Sequence, residues 1–259
     1  MSAANPVYTC LLLLLLLFSF SEATAQKVQF LTRSCKITEV EKGKIREMAV
    51  HEAAFFAEVF GPKKLMPLRI IIYGNRLEFY TVCMREKVAL RRPQGFYSHR
   101  TRTMYVLKSD NLVRTCFHEM VHAIYHNYNN KVPTWLNEGI AECFERAHID
   151  STGKIQVMVN RSDCKKVINY LEKPEKAINS CLRKSGRRFY EYQAHKNYKI
   201  SWAMAGFLYH NHKDILFKLM QETVTRRKSI LLINEYYEGG TSRFAADVKN
   251  WCVQQAGAG

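Results

Sequence analysis

Val113, Phe117, Met120, Val121, Ile124 and Tyr128 return every three or four positions. That period predicts a half-buried helix begun by Ser109-Asp110. Within it stands His118-Glu119-Met120-Val121-His122. Four positions are slightly more than one helical turn, so both imidazoles leave one face about 6 Å apart along the axis, as two ligands of a tetrahedral zinc ion require. Glu119 lies beside that face, where it can take a proton from a water activated by the ion without being a ligand itself. If the pair serves as ligands, the fold is expected to leave an ion-sized space over this helix.

A second helix is predicted after Pro133-Thr134, with Leu136, Ile140, Cys143, Phe144 and Ala147 on its buried side and a break before Ser151-Thr152-Gly153. It carries two acids one turn apart, Glu138 and Glu142. Two histidines and a water leave one protein position open, and a carboxylate there completes the His₂Glu set of catalytic zinc sites. Glu138 is the candidate third ligand. Glu142 is the candidate that orients His118 or His122 through the other ring N–H, and spacing alone lets the two glutamates exchange roles. His126 keeps phase with the pair but lies a further turn along, so it is expected as a packed or exposed histidine. Cys116 and Cys143 fall about 200° and 140° around their helices from His118 and Glu138, which assigns them to packing or disulfides.

In these residues the chain resembles the gluzincin metallopeptidases, whose signature is an HExxH helix followed by a glutamate-bearing helix. Asn137-Glu138-Gly139 after Trp135-Leu136 is similar to the third-ligand helix of the aminopeptidase branch, and the spacing to Glu142 is similar to that of thermolysin-like enzymes. The resemblance covers residues 94–147 and is nearest to small secreted or bacterial peptidase-like domains. It implies an α+β, zincin-like fold: a small N-terminal mixed sheet, an active-site helix and a mainly helical C-terminal part. It implies an edge strand before the metal helix that receives extended substrate, by position Met104 to Leu107. It also implies a donor to the tetrahedral oxyanion from a later helix, for which Tyr198 is the candidate, with His195 and Tyr192 as rivals. The metzincin class is excluded, because Tyr125 and Tyr128 stand where it needs a glycine and a third histidine.

Residues 1–25 read as a secretory signal: the apolar run Cys10 to Phe20 precedes Ala23-Thr24-Ala25 and is about half the ~20 residues that span a bilayer. The mature chain is expected to be exported, without a membrane span, and to act as a monomer. Residues 26–259 hold no repeat or low-complexity linker and read as a single domain, mixed over 26–110 and helical over 111–259. In the mixed part, Thr38 and Glu41 form a capping-box signature for a helix ending at Gly61-Pro62, Leu68 to Tyr73 reads as a buried strand, and Gln94 to Leu107 as a hairpin. Residues 77–90 are ambiguous. Further helices are predicted near 198–211, 214–225 and after Gly239-Gly240-Thr241-Ser242. Seven cysteines remain after the signal, and an oxidising compartment predicts two or three disulfides, with Cys164–Cys181 and Cys35–Cys252 as trial pairings. Asn160-Arg161-Ser162 is a glycosylation sequon if the host is a eukaryote.

Lysine and arginine number 39 against 23 acids, a net charge of +16, so the chain's neighbours are expected to be anionic. The basic clusters, among them Arg100/Arg102 and Arg226-Arg227-Lys228, are scattered and match no nucleic-acid motif. The leading expectation is a zinc metallopeptidase acting on a peptide or protein. The alternative is an inactive cationic binding protein of the same fold that recognises anionic polysaccharide or acidic surfaces, a role that does not need Glu119. A purely structural zinc site ordinarily closes with four protein ligands, often cysteines.

Overall fold

A computed structural model describes residues 26–88, 93–128, 131–223 and 228–257; the expected signal over 1–25 lies outside the described residues. The first half is mixed. Strand β1 (Val28–Arg33) leads into helix α1 (Glu39–Phe60), β2 (Leu68–Tyr73), α2 (Arg76–Arg85), the hairpin β3 (Gly95–Ser98) and β4 (Thr103–Leu107), and then α3 (Leu112–Tyr128). The second half is helical apart from a two-residue hairpin, β5 (His148–Ile149) and β6 (Ile155–Gln156). It comprises α4 (Thr134–Phe144), α5 (Arg161–Tyr170), α6 (Pro174–Arg183), α7 (Arg187–Glu191), α8 (Ala194–Asn211), α9 (Lys213–Glu222), α10 (Ser229–Tyr236) and α11 (Gly240–Gly257). The α+β class and the small mixed sheet expected of the sequence are both present.

Four strands form the main sheet in the order β1-β2-β4-β3, with β1, β2 and β4 parallel and β3 antiparallel to β4. Every residue of β4 is buried, as is usual for a parallel strand covered on both faces. Met104 to Leu107 is therefore an interior strand, not the edge that the resemblance implied. The edge on this side of the sheet is β3, which folds back antiparallel on β4 through the turn at Ser98 to Arg102 and takes the outer place itself, β1 being the other edge.

The capping box that opens α1 forms as expected: Glu41 N–H donates to Thr38 Oγ1 at 3.1 Å and Thr38 N–H to Glu41 Oε2 at 2.8 Å. Phe56 and Phe60 of α1 pack against Tyr125 and Tyr128 of α3, with ring centroids 5.0–6.2 Å apart, so an aromatic layer fixes the metal-candidate helix from behind. Residues 77–90, ambiguous in sequence, begin as α2, which Asn75 caps by accepting from Leu77 and Glu78. No described helix is long and apolar enough to cross a membrane.

The seven described cysteines are free thiols, so neither trial pairing is formed. Cys181 lies 3.4 Å from Ser201 Oγ, and the sulfur that Cys164 meets belongs to Cys252.

Helix α4 lies against α8, and Gly139 sets how close they come. A Cβ there would stand 2.5 Å from the Ser201 carbonyl oxygen and 2.9 Å from Ala205 Cβ. Gly139→Ala is accordingly expected to destabilise the fold by about 1–3 kcal/mol, because backbone on one helix must retreat from the other. Thermal unfolding measures this, and an unchanged midpoint would show that the helices can part freely.

Candidate metal centre

Helix α3 presents His118 and His122 on one face, ring centroids 4.9 Å apart. Helix α4 brings Glu138 against them from the opposite side. Its Oε2 lies 3.2 Å from His118 Nε2 and 3.6 Å from His122 Nε2. Zinc bonds of about 2.0–2.1 Å to nitrogen and oxygen separate tetrahedral ligand atoms by about 3.3–3.4 Å, so these spacings suit a shared ion. The three donor atoms all lie within 4.8 Å of one another. His118, His122 and Glu138 thus form a group that could hold a metal, with side chains 13%, 10% and 4% exposed.

The group is electrostatically tense as a set of protonatable side chains. Burial disfavours charge on each of them, yet mutual contact overrides burial. Glu138 is drawn well below the ordinary carboxylate value by the two imidazoles, and both imidazoles are raised by Glu138. A dication would take over the role that the imidazole protons play here, since metal ligands bind as neutral imidazole and ionised carboxylate.

Glu119 turns from the histidine face toward β3. It is 6% exposed, and burial raises its carboxyl above the ordinary value against the opposing pull of His122 and His118. The backbone N–H of Tyr97 on β3 donates to it. This approach depends on Gly95: a Cβ there would meet Thr115 Cγ2 at 2.6 Å and Glu119 Cγ at 3.3 Å.

Two residues not singled out in sequence complete the surroundings. The Tyr190 hydroxyl, on α7, donates to Glu138 Oε1 at 2.6 Å. Glu145, immediately after α4, places Oε2 3.4 Å from His118 Nδ1. It takes the supporting position expected for Glu142. Glu142 also comes near His118, but its Oε2 pairs with Lys199 at 3.0 Å, and Lys199 in turn holds Asp163 at 3.1 Å. Glu145 follows Glu138 and Glu142 at helical spacing, so extending the acidic face by one step would have found it. Tyr190 carries no such signal, because α7 reaches the site only through long-range packing.

Tyr198 does lie at the centre, its ring 6.4 Å from that of His118 and 6.3 Å from that of Tyr190. Burial and then Glu138 push its phenol well above the ordinary value, and it makes no hydrogen bond with a described residue. The rivals sit apart from it: His195 Nδ1 lies 3.3 Å from the Tyr170 hydroxyl, and Tyr192 is 67% exposed beneath the Lys184 ammonium. His126 is outside the three-donor group, its Nδ1 2.8 Å from the Tyr97 hydroxyl.

No curated protein matches the chain. Residues 112–229 match a family described as a protein of unknown function (DUF1570), so the region that is similar to that family begins with the histidine helix and contains Glu138, Glu145, Tyr190 and Tyr198.

Proposed function

We propose that this chain is an exported zinc-dependent metallopeptidase of the gluzincin kind, with a zincin-like fold, that hydrolyses peptide bonds. The observation that carries the reading is the convergence of Glu138 Oε2 on two imidazole Nε2 atoms at 3.2 and 3.6 Å, next to a buried carboxylate that is not part of the donor set.

His118, His122 and Glu138 would hold the zinc, which when bound supplies Lewis acidity toward a water and the substrate carbonyl. Glu119 accepts the attacking water's proton and passes it to the departing amine nitrogen, a transfer suited to a carboxyl whose affinity for protons is raised by burial. Glu145 fixes the ring orientation of His118 from its Nδ1 side. Tyr198, with its hydroxyl uncommitted among the described residues, is the donor to the oxyanion, and Tyr190 anchors Glu138.

A quenched peptide or casein should be cleaved by the zinc-supplemented protein, not by the chelated protein, and again after zinc is restored. Zinc at about a thousand times its dissociation constant should also stabilise the fold by about 4 kcal/mol, read as a higher melting temperature. Absence of hydrolysis under all three conditions, with polyanion binding intact, would transfer support to the inactive binding protein.

A further inference from the structure

A hollow of about 300 Å³ opens at the far end of α3 from its first turn. Lys63 and Lys64 after α1, Arg69 at the start of β2, Arg102 from the β3–β4 turn, and His126 with Tyr97 shape it. Among the described residues its walls carry four cations and no carboxylate. Lys63 donates to the Asn127 carbonyl and lies over the Tyr128 ring, with no carboxylate partner among the described residues, and Arg102 points at the Met66 sulfur, a weak acceptor. Lys64, Arg69 and Arg102 form no ion pair with a described residue. Isolated surface cations are ordinarily just solvated, but cations converging on a concavity reinforce one another, because its walls focus the field. The field is felt by the neighbouring groups: burial and then Arg102 hold His126 below its ordinary value. Arg102 also keeps a left-handed backbone, φ 51°, which a non-glycine residue adopts at a conformational cost.

The hollow adjoins the metal-ligand group. His126 lies one helical turn beyond His122. Tyr97 links the two regions, with its hydroxyl 2.8 Å from His126 Nδ1 and its backbone N–H on Glu119. Strand β3, the antiparallel edge of the sheet, borders both.

We propose that this hollow is a carboxylate subsite, which takes the side chain of a glutamate or aspartate in an extended peptide lying over the metal-ligand group, and so selects acidic segments as substrate. The substrate role rests on the peptidase reading; the binding of the carboxylate does not. A volume at the low end of small-ligand sites admits one or two side chains, whereas a sulfated polysaccharide needs an extended basic track. An edge strand additionally offers backbone groups to a peptide that a sugar chain cannot pair with.

The test walks a single glutamate through a neutral octapeptide, each peptide having a glutamine twin. All are titrated into zinc-supplemented Glu119→Gln protein and offered to the wild type for hydrolysis. At the best position the glutamate peptide is expected to bind at least about tenfold more tightly than its twin. Arg69→Gln combined with Arg102→Gly, the latter also relieving the left-handed backbone, should abolish that gap and leave the twin's affinity unchanged. No gap at any position, or a gap that survives the double variant, overturns the proposal. It is also overturned if the double variant loses retention on a sulfated polysaccharide but keeps the peptide gap. A gap without hydrolysis of any peptide upholds the subsite and removes the peptidase reading. Hydrolysis without a gap does the reverse.

Discussion

Glu119→Gln is expected to take up zinc at the wild-type stoichiometry and to hydrolyse peptides about 10²–10⁴-fold more slowly, the usual worth of a positioned general base. The substitution is close to isosteric, so the side chain can keep its place beside Gly95 where β3 touches α3. What it loses is the capacity to accept and return a proton. His118→Ala separates the roles, because it removes one of the three donors and should release the metal itself. Metal analysis beside an initial-rate assay reads both variants. Undiminished turnover in Glu119→Gln would place the base elsewhere, and full metal content in His118→Ala would dissolve the donor set.

Glu52→Met is expected to make the protein more stable, and increasingly so as the pH rises. Glu52 lies in the middle of α1, is 0% exposed, and neither carboxylate oxygen has a hydrogen-bond partner among the described residues. A buried polar group in that condition costs about 1–3 kcal/mol relative to a well-packed apolar one, and methionine fills the space of glutamate while favouring helix. Burial pushes the carboxyl well above its ordinary value of 4.5, with only a lesser opposing pull from His118. The folded state therefore keeps the proton at a pH where the unfolded chain has released it. Stability falls by about 1.4 kcal/mol per pH unit from near 4.5 upward until the folded group itself ionises, and below that range the penalty is absent. Denaturant unfolding of both proteins from pH 4 to 8 should show the difference widening with pH. A difference that stays constant across the series would mean that Glu52 finds a partner.

Features whose cause is local were legible in the sequence. The Thr38–Glu41 capping box, the β-branched run of β2, the polar turn before β4 and the apolar period of α3 each depend on residues within a few positions of one another. So did the convergence of His118, His122 and Glu138, because two helices close together in the chain and each with one buried stripe have few ways to pack. Features decided by distant partners were not legible. β1 is mostly exposed on its outer side and carries little apolar signal, so it became visible only through its pairing with β2. Whether β3 or β4 forms the sheet edge depends on where β2 lies, which the hairpin alone does not say. Tyr190 and the Cys164–Cys252 contact depend on how α7 and α11 settle against elements far away in sequence. Glu142 was displaced from its expected supporting role by Lys199, an attraction from α8 that periodicity on α4 does not encode.

The hydroxyl of Tyr190 occupies one oxygen of Glu138 and leaves the other turned toward the imidazoles. A carboxylate tethered in this way would favour gripping an ion with one atom, which lowers the number of oxygens the protein offers. Calcium, which seeks six to eight oxygen neighbours, would be starved in such a seat, and magnesium would find nitrogen where it prefers hydrated oxygen. If the proposed zinc centre forms, this one phenol, itself no ligand, would help to filter which element the centre admits.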